Sequence, residues 1–465
     1  MKILLVNPPI PNRFKMIDFA DEMGRQAILK RVLIGPPLGL NDIAGMLDEE
    51  EVIILDQKAE MEMDPNYDPQ EHVCEVIREF KPEIVGFTVL TAQVNSLKPL
   101  LKRIKDYDKK ILTVIGGIHV SAKPDDFLEH EVDILVLGLG KTTFYNIVNE
   151  FKVNKEDSRF SAIPGIAIKS GSKLHFTKSL AELSIQELTE QHFRYDKYPN
   201  RKLTAHYNYV HPQTKKKIHF LSTALGCTHK CNFCYLWRMT DGRYLYRSSD
   251  SIVEELLSMD EYPLIRFCDA HTFGNPREAE KLFTAIIEKK IRHAFISDAR
   301  ADSVVKRPEL FKLARKAGVM LTIMGLEATS DEELKAYGKE SSIKITEDAM
   351  QILNELGIYI SGNYIVRPDY TEDDFDRIGK FIADHPIFFS GFTILTPFPG
   401  TEQWDLLKDQ IVIHDYDYYN LANAVIKTTL PEKRFYQRVS ELYKVGAMST
   451  KKYFEIYKTK PPGVM

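Results

Sequence analysis

LGCTHKCNFCYLW, residues 225–237, puts Cys227, Cys231 and Cys234 within eight residues of a 465-residue chain that has five cysteines in all. An odd count with three gathered on one short segment is not a disulfide framework. It points to a reducing compartment and to metal or catalytic chemistry. The apolar run IHFLSTAL leads into the segment through Gly226, so the thiols sit on a loop that follows a strand. Three thiolates on one loop can each take one iron of a cubane, whereas a [4Fe–4S] cluster is usually held by four cysteines. Only Cys74 and Cys268 remain, and neither has a cysteine partner nearby in sequence. A cluster held by three leaves one iron open to a substrate or cofactor, the same open-site logic that separates catalytic from structural zinc. A structural zinc site is the plainer alternative, with Cys231 and Cys234 joined by His229 or His271. It lacks the second, well-separated ligand pair that zinc modules carry. Unrelated core cysteines are a third reading, against which the clustering argues.

The loop opens a series of six strand-like runs, KIHFLSTALG, LIRFCDAH, HAFISDAR, VMLTIMGLE, YISGNYIVRP and FSGFTILTPF, separated by helical patterns such as PREAEKLFTAIIEKK and EDDFDRIGKFIADHP. Over residues 206–400 this alternation predicts a partial (β/α)6 barrel or an open α/β sheet. Residues 1–150 alternate in the same way. KILLVNPP, EVIILD, EIVGFTVL, KILTVIGG and VDILVLGLG are apolar on both faces, as strands of a doubly wound parallel sheet are. In such sheets ligands sit at the carboxyl ends of the strands. Those ends carry Asn7, Pro8, Thr88, Gly116, Gly117, Gly138 and Gly140. Glycine there lets a bulky ligand approach the backbone. Residues 151–205 read as a linker containing a hairpin around Ser170-Gly171-Ser172 and ending in HFRYDKYPNRK. Residues 401–465 are Tyr-rich and mostly helical in pattern.

Sixty-two basic against 66 acidic residues give a net charge of −4, which offers no support for a protein that coats nucleic acid. With 44% apolar and 28% charged residues the composition is that of a globular protein of two or three domains. MKILLVNPPIP is too short for a signal peptide. No run approaches the ~20 apolar residues that span a bilayer. The expectation is a cytoplasmic protein, with peripheral membrane contact left open.

The spacing Cys-x-x-x-Cys-x-aromatic-Cys, with Phe233 as the aromatic, resembles the radical S-adenosylmethionine superfamily. That resemblance implies a [4Fe–4S] cluster whose free iron chelates the amino and carboxylate groups of S-adenosylmethionine. An electron then cleaves the sulfonium to a 5′-deoxyadenosyl radical that abstracts hydrogen from carbon. FCDAHTFGN falls on a family segment, which puts Asp269 near the methionyl group, with Phe273 and Asn275 beside it. SDARAD places Arg300 past the third strand of the series, and MGLEATS places Glu327 past the fourth, where Ala328 departs from the family's serine. Both are expected at the cofactor, although an acid at a strand end is often a helix cap and an arginine there often a surface ion pair. After the fifth strand the chain reads Val366-Arg367-Pro368-Asp369, and Arg367 is expected to face the substrate as a catalytic residue, with an ordinary surface charge as the alternative of equal standing.

The order NPP, PPLGL, GFTVLTAQV and GGIHVSAKP in residues 1–150 resembles the cobalamin-binding domain that precedes many such barrels. The usual Gly-Glu-Gly-Glu is replaced by Gly138-Leu139-Gly140-Lys141. The motif that supplies an axial histidine is absent. His119 lies at the expected cofactor face but in another context, so cobalamin is expected without a histidine of this chain on cobalt. The tail, above all Pro397-Phe398-Pro399-Gly400-Thr401, resembles the branch with hopanoid C-3 methylases and anaerobic magnesium-protoporphyrin ester cyclase. What this implies is a cobalamin-dependent radical methylase acting on a lipid, terpenoid or other apolar small molecule. It would draw on an electron donor such as flavodoxin or ferredoxin in a reducing, anaerobic setting. Two alternatives stay open at this level. One is a radical enzyme of the same architecture that performs cyclisation, rearrangement or carbon–carbon bond formation. The other is a cobalamin- or cluster-binding sensor.

Overall fold

The computed structural model describes residues 1–29, 35–64, 66–153, 160–193 and 197–457. The first sheet contains β1 (Lys2–Asn7), β2 (Glu51–Asp56), β3 (Ile84–Thr88), β4 (Leu112–Gly116) and β5 (Ile134–Val136). They run parallel in the order β2-β1-β3-β4-β5. Helices cover both faces, so strand residues on either side are buried in two separate cores. Their boundaries follow from local chemistry. For helix Pro69–Phe80, Asp68 accepts from the backbone N–H groups of Gln70 and Glu71, Pro69 fits the first turn, and Lys81 turns left-handed before Pro82. The strand order reverses between β1 and β3, which opens a crevice at their carboxyl ends.

The hairpin expected around Ser170-Gly171-Ser172 forms, as β6 (Ile166–Ser170) and β7 (Lys173–Phe176). It is not free linker. β6 pairs antiparallel with β5, and Ile166 and Ala167 enter the cores of the first domain. Residues 154–159 and 194–196 of the expected linker lie outside the described residues.

The second half contributes β8 (Ile218–Leu221), a short antiparallel pair β9 (Ala224–Gly226) and β10 (Tyr244–Tyr246), and then β11 (Leu264–Phe267), β12 (Ala294–Ala299), β13 (Val319–Glu327), β14 (Tyr359–Val366) and β15 (Phe389–Ile394). β8 and β11–β15 form one six-stranded parallel sheet in chain order, with β8 and β15 as its two edges: a partial barrel. Helices pack on the outer face. On the inner face, Ile218, Leu264, Ile296, Leu321 and Tyr359 meet Tyr207, Tyr209 and Tyr453 in an apolar floor at the amino ends of the strands. The run read as one strand, KIHFLSTALG, breaks at Ser222-Thr223 because the Asp269 carboxylate takes the N–H groups of Thr223 and Ala224.

Residues 401–465 hold helix Glu402–Leu407, an irregular segment closed by an Ile411–Ile426 bridge, and helix Glu432–Tyr457. Residues 458–465 lie outside the described residues. The last helix packs on helix Glu372–Asp384 and β15 and reaches back to helix Glu22–Leu29. Among the described residues no helix is long and apolar enough to cross a membrane.

Candidate active site

The three clustered cysteines stand on the loop between β9 and β10, half-buried and unpaired. Gly226 makes the loop feasible. Its φ of +78° is left-handed, and a Cβ there would come 2.1 Å from Thr240 Oγ1. Cys234 N–H donates to the Cys231 carbonyl at 3.1 Å, and Trp237 Nε1 donates to the same carbonyl at 3.2 Å. The loop is fixed from two sides. Asn232 donates from its backbone to the Tyr337 carbonyl and from its side chain to the Ala336 carbonyl. The Asn232 carbonyl accepts from Gln403, just past the Pro397–Thr401 turn. Phe233 sits edge-on against the Tyr337 ring at 5.4 Å.

Burial raises the Cys231 thiol and pushes Cys234 up to about 11, while Lys339 and Arg300 pull Cys231 the other way. Arg300 and Glu327 thus lie beside the cluster loop. Arg300 is buried, donates Nε to Asp302 at 2.9 Å, and has no partner for Nη2 among the described residues. Glu327 sits at a register shift in β13 with φ of +65° and pairs with Lys339 at 3.0 Å. Lys339 also donates to the Gly325 carbonyl. An unsatisfied guanidinium, a second cation and a carboxylate beside three thiols suit a thiolate-held cluster and a zwitterionic amino-acid group. The single-zinc alternative fits less well. His271, one of the two histidines that could serve a single zinc, directs Nε2 to Ser303.

Several expectations are corrected by geometry. Both Asp269 oxygens are taken up by protein: Oδ1 by the N–H groups of Thr223 and Ala224, and Oδ2 by the Thr223 hydroxyl at 2.6 Å. It therefore anchors the root of the cluster loop. Arg367 is held at two points by exposed Asp369, an ordinary surface pair, and is not offered as a catalytic group. Asn7 donates to Asp56 and the Pro8 carbonyl accepts from Gln93, so neither directs a polar group to the crevice. His119 is fully buried, with Nδ1 at 3.2 Å from Thr91 and Nε2 at 3.1 Å from Asp126. Neither ring nitrogen is free for cobalt.

Thr88, Gly116, Gly117, Gly138 and Gly140 are brought together. They line one cavity of about 170 Å³ over the carboxyl ends of the first sheet, walled by Val114, Val136 and Phe144 and carrying Asp42, Lys141 and His192. A Cβ on Gly116 would approach Val136 of the slot wall to 3.3 Å, so glycine there leaves the slot its room. Lys141 departs from the expected acid and pairs with Asp42 at 2.7 Å. A narrow slot with backbone walls fits a flat aromatic group. A second cavity, of about 240 Å³, has Ser121 and Gly138 of the first domain on one wall and Tyr235, Arg238 and Met239 of the cluster loop on another. The cluster loop and the glycine-rich strand ends are therefore neighbours.

Residues 24–148 match the B12 binding domain and residues 221–382 match the Radical SAM superfamily. The chain is a B12-binding radical SAM protein. It is similar to hopanoid C-3 methylase of Methylococcus capsulatus, 26% identical over 380 residues, covering 80% of this chain and 70% of that protein. An uncharacterized methyltransferase of Pyrococcus horikoshii is 26% identical over 444 residues, covering 92% and 88% of the two chains. Anaerobic magnesium-protoporphyrin IX monomethyl ester cyclase of Cereibacter sphaeroides is 24% identical over 372 residues, covering 78% of this chain and 59% of that protein. The fold is shared with the radical S-adenosylmethionine methyltransferase TsrM of Kitasatospora setae, solved with cobalamin and a [4Fe–4S] cluster, at TM-score 0.66 and 17% identity over 94% of this chain and 84% of that one. Lys339 and Tyr235 of this B12-binding radical SAM protein carry no sequence signal of their own. Lys339 follows a short helix and Tyr235 looks like any loop aromatic, so only packing brings them to the site.

Proposed function

We propose that this B12-binding radical SAM protein transfers a methyl group to an unactivated carbon of a small molecule. One observation carries the reading: the cluster loop and the glycine-lined ends of the first sheet wall a common space, with Tyr235, Arg238 and Met239 facing Ser121 and Gly138. When bound, cobalamin supplies a methyl carrier, and the cluster with S-adenosylmethionine supplies a hydrogen-abstracting radical.

The chain's own residues divide the remaining work. Cys227, Cys231 and Cys234 hold the cluster. Arg300 and Lys339 suit the carboxylate of S-adenosylmethionine, and Glu327 suits its ammonium. Phe233 and Tyr337 pack beneath the loop and exclude water from that side. The slot lined by Thr88 and the four glycines would take the flat tail of cobalamin, and His119, with both ring nitrogens engaged, would not serve as a cobalt ligand. The methylases among the relatives support the reading. The cyclases among them support a second one, ring closure without methyl transfer. The three-cysteine loop also calls for a one-electron donor, such as flavodoxin or ferredoxin, in a reducing, anaerobic cytoplasm.

The test is anaerobic reconstitution followed by product analysis. The protein should take up about four irons at this loop, and its reduced EPR signal should change on adding S-adenosylmethionine. Replacing any of the three cysteines by Ala should abolish the signal. With substrate, S-adenosylhomocysteine and 5′-deoxyadenosine should form in roughly equal amounts, and methyl label should reach a carbon of the product. Deoxyadenosine alongside an unlabelled cyclised product would select the second reading. Zinc in place of iron would reject both.

A further inference from the structure

Strand alternation sorts the barrel residues into two faces. The pairs Arg266–Ile296, Asp298–Ile323 and Ile323–Ser361 put Arg266, Asp298 and Ser361 on the same face as floor residues Leu264, Ile296 and Tyr359, one or two steps further toward the cluster loop. Asn363 lies one step beyond, beside Gly391. The inner face thus changes character along the strands. It is apolar at the floor and becomes polar before the cofactor layer is reached. Arg266, Asp298, Ser361 and Asn363 all keep some solvent exposure.

The Arg266–Asp298 contact is poorly made for a structural ion pair. Only Nη2 reaches the carboxylate, at 3.5 Å, and the buried Nε has no acceptor among the described residues. A buried pair retained for structure has both partners satisfied, because an unpaired buried donor costs its full desolvation. The guanidinium instead lies 5.8 Å from the Phe220 ring, whose tip abuts the first domain: a Cβ on Gly35 would come 2.0 Å from Phe220 Cζ. Burial pushes Asp298 up to about 7, against the opposing pull of Arg266. The neighbouring acid is therefore easily protonated and can share a proton with an incoming anion.

We propose that the substrate carries a carboxylate and sits inside the barrel, above the apolar floor, with that carboxylate on Arg266. The inference rests on the radical-enzyme reading above and narrows its substrate class from apolar small molecules to organic acids whose apolar part meets the floor. A single guanidinium matches a monoanion, with the planar two-point geometry that arginine favours. A phosphate dianion would bring two charges to one cation with Asp298 beside it.

The experiment uses reconstituted holoprotein with S-adenosylmethionine and a chemical reductant. A small-molecule extract of the source cells is treated with phosphatase and split at pH 7 into a pool retained on an anion exchanger, an unretained pool and a solvent-soluble lipid pool. The retained pool should raise 5′-deoxyadenosine formation severalfold. Arg266→Gln should weaken that response by about tenfold or more, since it removes a two-point charge-assisted contact, and Arg266→Lys should recover part of it. Ser361→Phe, which fills the space, should abolish it. An unchanged cluster EPR signal with S-adenosylmethionine shows that each variant is folded; a variant that loses the signal is replaced by equilibrium dialysis of wild-type protein, without reductant, against the same pools. Depletion of an organic acid from the retained pool then supports the proposal. Response or depletion confined to the lipid or unretained pool, none from the retained pool, or a full response in Arg266→Gln overturns it. Methyl label is followed in parallel. Deoxyadenosine that depends on Arg266 without label transfer would reject methyl transfer while leaving the carboxylate anchor standing.

Discussion

Two half-buried aspartates, Asp126 and Asp298, differ only in what reaches them, and their proton affinities separate accordingly. At Asp298 burial outweighs one long contact to Arg266, and the carboxyl goes up to about 7. At Asp126 burial would also raise the value, but His119, Lys123 and Tyr416 all hydrogen-bond to it and hold it at about 2. The folded value lies below that of an unfolded chain. Asp126 therefore contributes its stability in full above about pH 4 and loses it as pH falls through about 2. Asp126→Asn should cost about 1–2 kcal/mol at pH 7 after allowing for solvent screening. The deficit should shrink to nothing as the pH approaches 2, as read from urea unfolding of the cluster-free protein. A constant deficit across that range would show that packing, not charge, is responsible. At this scale the sequence discloses reactive types far better than contacts. Three cysteines in eight residues have few explanations. An aspartate or arginine at a strand end has many, and Asp269 and Arg367 found protein partners that no spacing rule could have named.

Among the elements, the hairpin that carries the cluster depends on one backbone conformation. Gly226→Ala would place a methyl 2.1 Å from Thr240 Oγ1 and 2.3 Å from the Arg243 carbonyl, at a φ of +78°. Because β9 pairs only with β10, the damage should stay local. We expect iron loading to fall by more than half, while the midpoint of global unfolding moves by only a few degrees, about what 1–2 kcal/mol produces in a chain of this size. Equal losses in both would mean that the loop is integral to the barrel core. The parallel strands were legible from sequence because helices cover both faces and leave apolar runs that need no partner to be recognised. The β6–β7 hairpin was legible as a hairpin but not as part of a sheet. What assigns it is pairing with β5 some 30 residues earlier, and alternation within a strand carries no information about its neighbour.

For the whole molecule, the Pro397–Thr401 turn is where the parts meet. A Cβ on Gly400 would lie 2.8 Å from Tyr235 of the cluster loop and 2.9 Å from Ala122 of the first domain, again at a left-handed φ, of +80°. Gly400→Ala should cost about 1–3 kcal/mol through strain and should part the two domains slightly. The magnetic interaction between cobalt(II) and the reduced cluster should weaken while each cofactor still binds, a change that pulsed EPR would register. An unaltered interaction would assign the turn a purely local role. The final helix, Glu432–Tyr457, carries a different consequence. Its Tyr436 stacks on Phe19 at 5.3 Å, its Ser440 occupies the space beside Gly24, and its Lys444 pairs with Asp21, so two segments about 400 residues apart in sequence are fastened to one another. Joining residues so distant costs more loop-closure entropy than any pairing within either sheet, so it follows the local structure between them. Fastening of this helix is therefore a late event in folding, and both sheets take shape on a chain not yet closed.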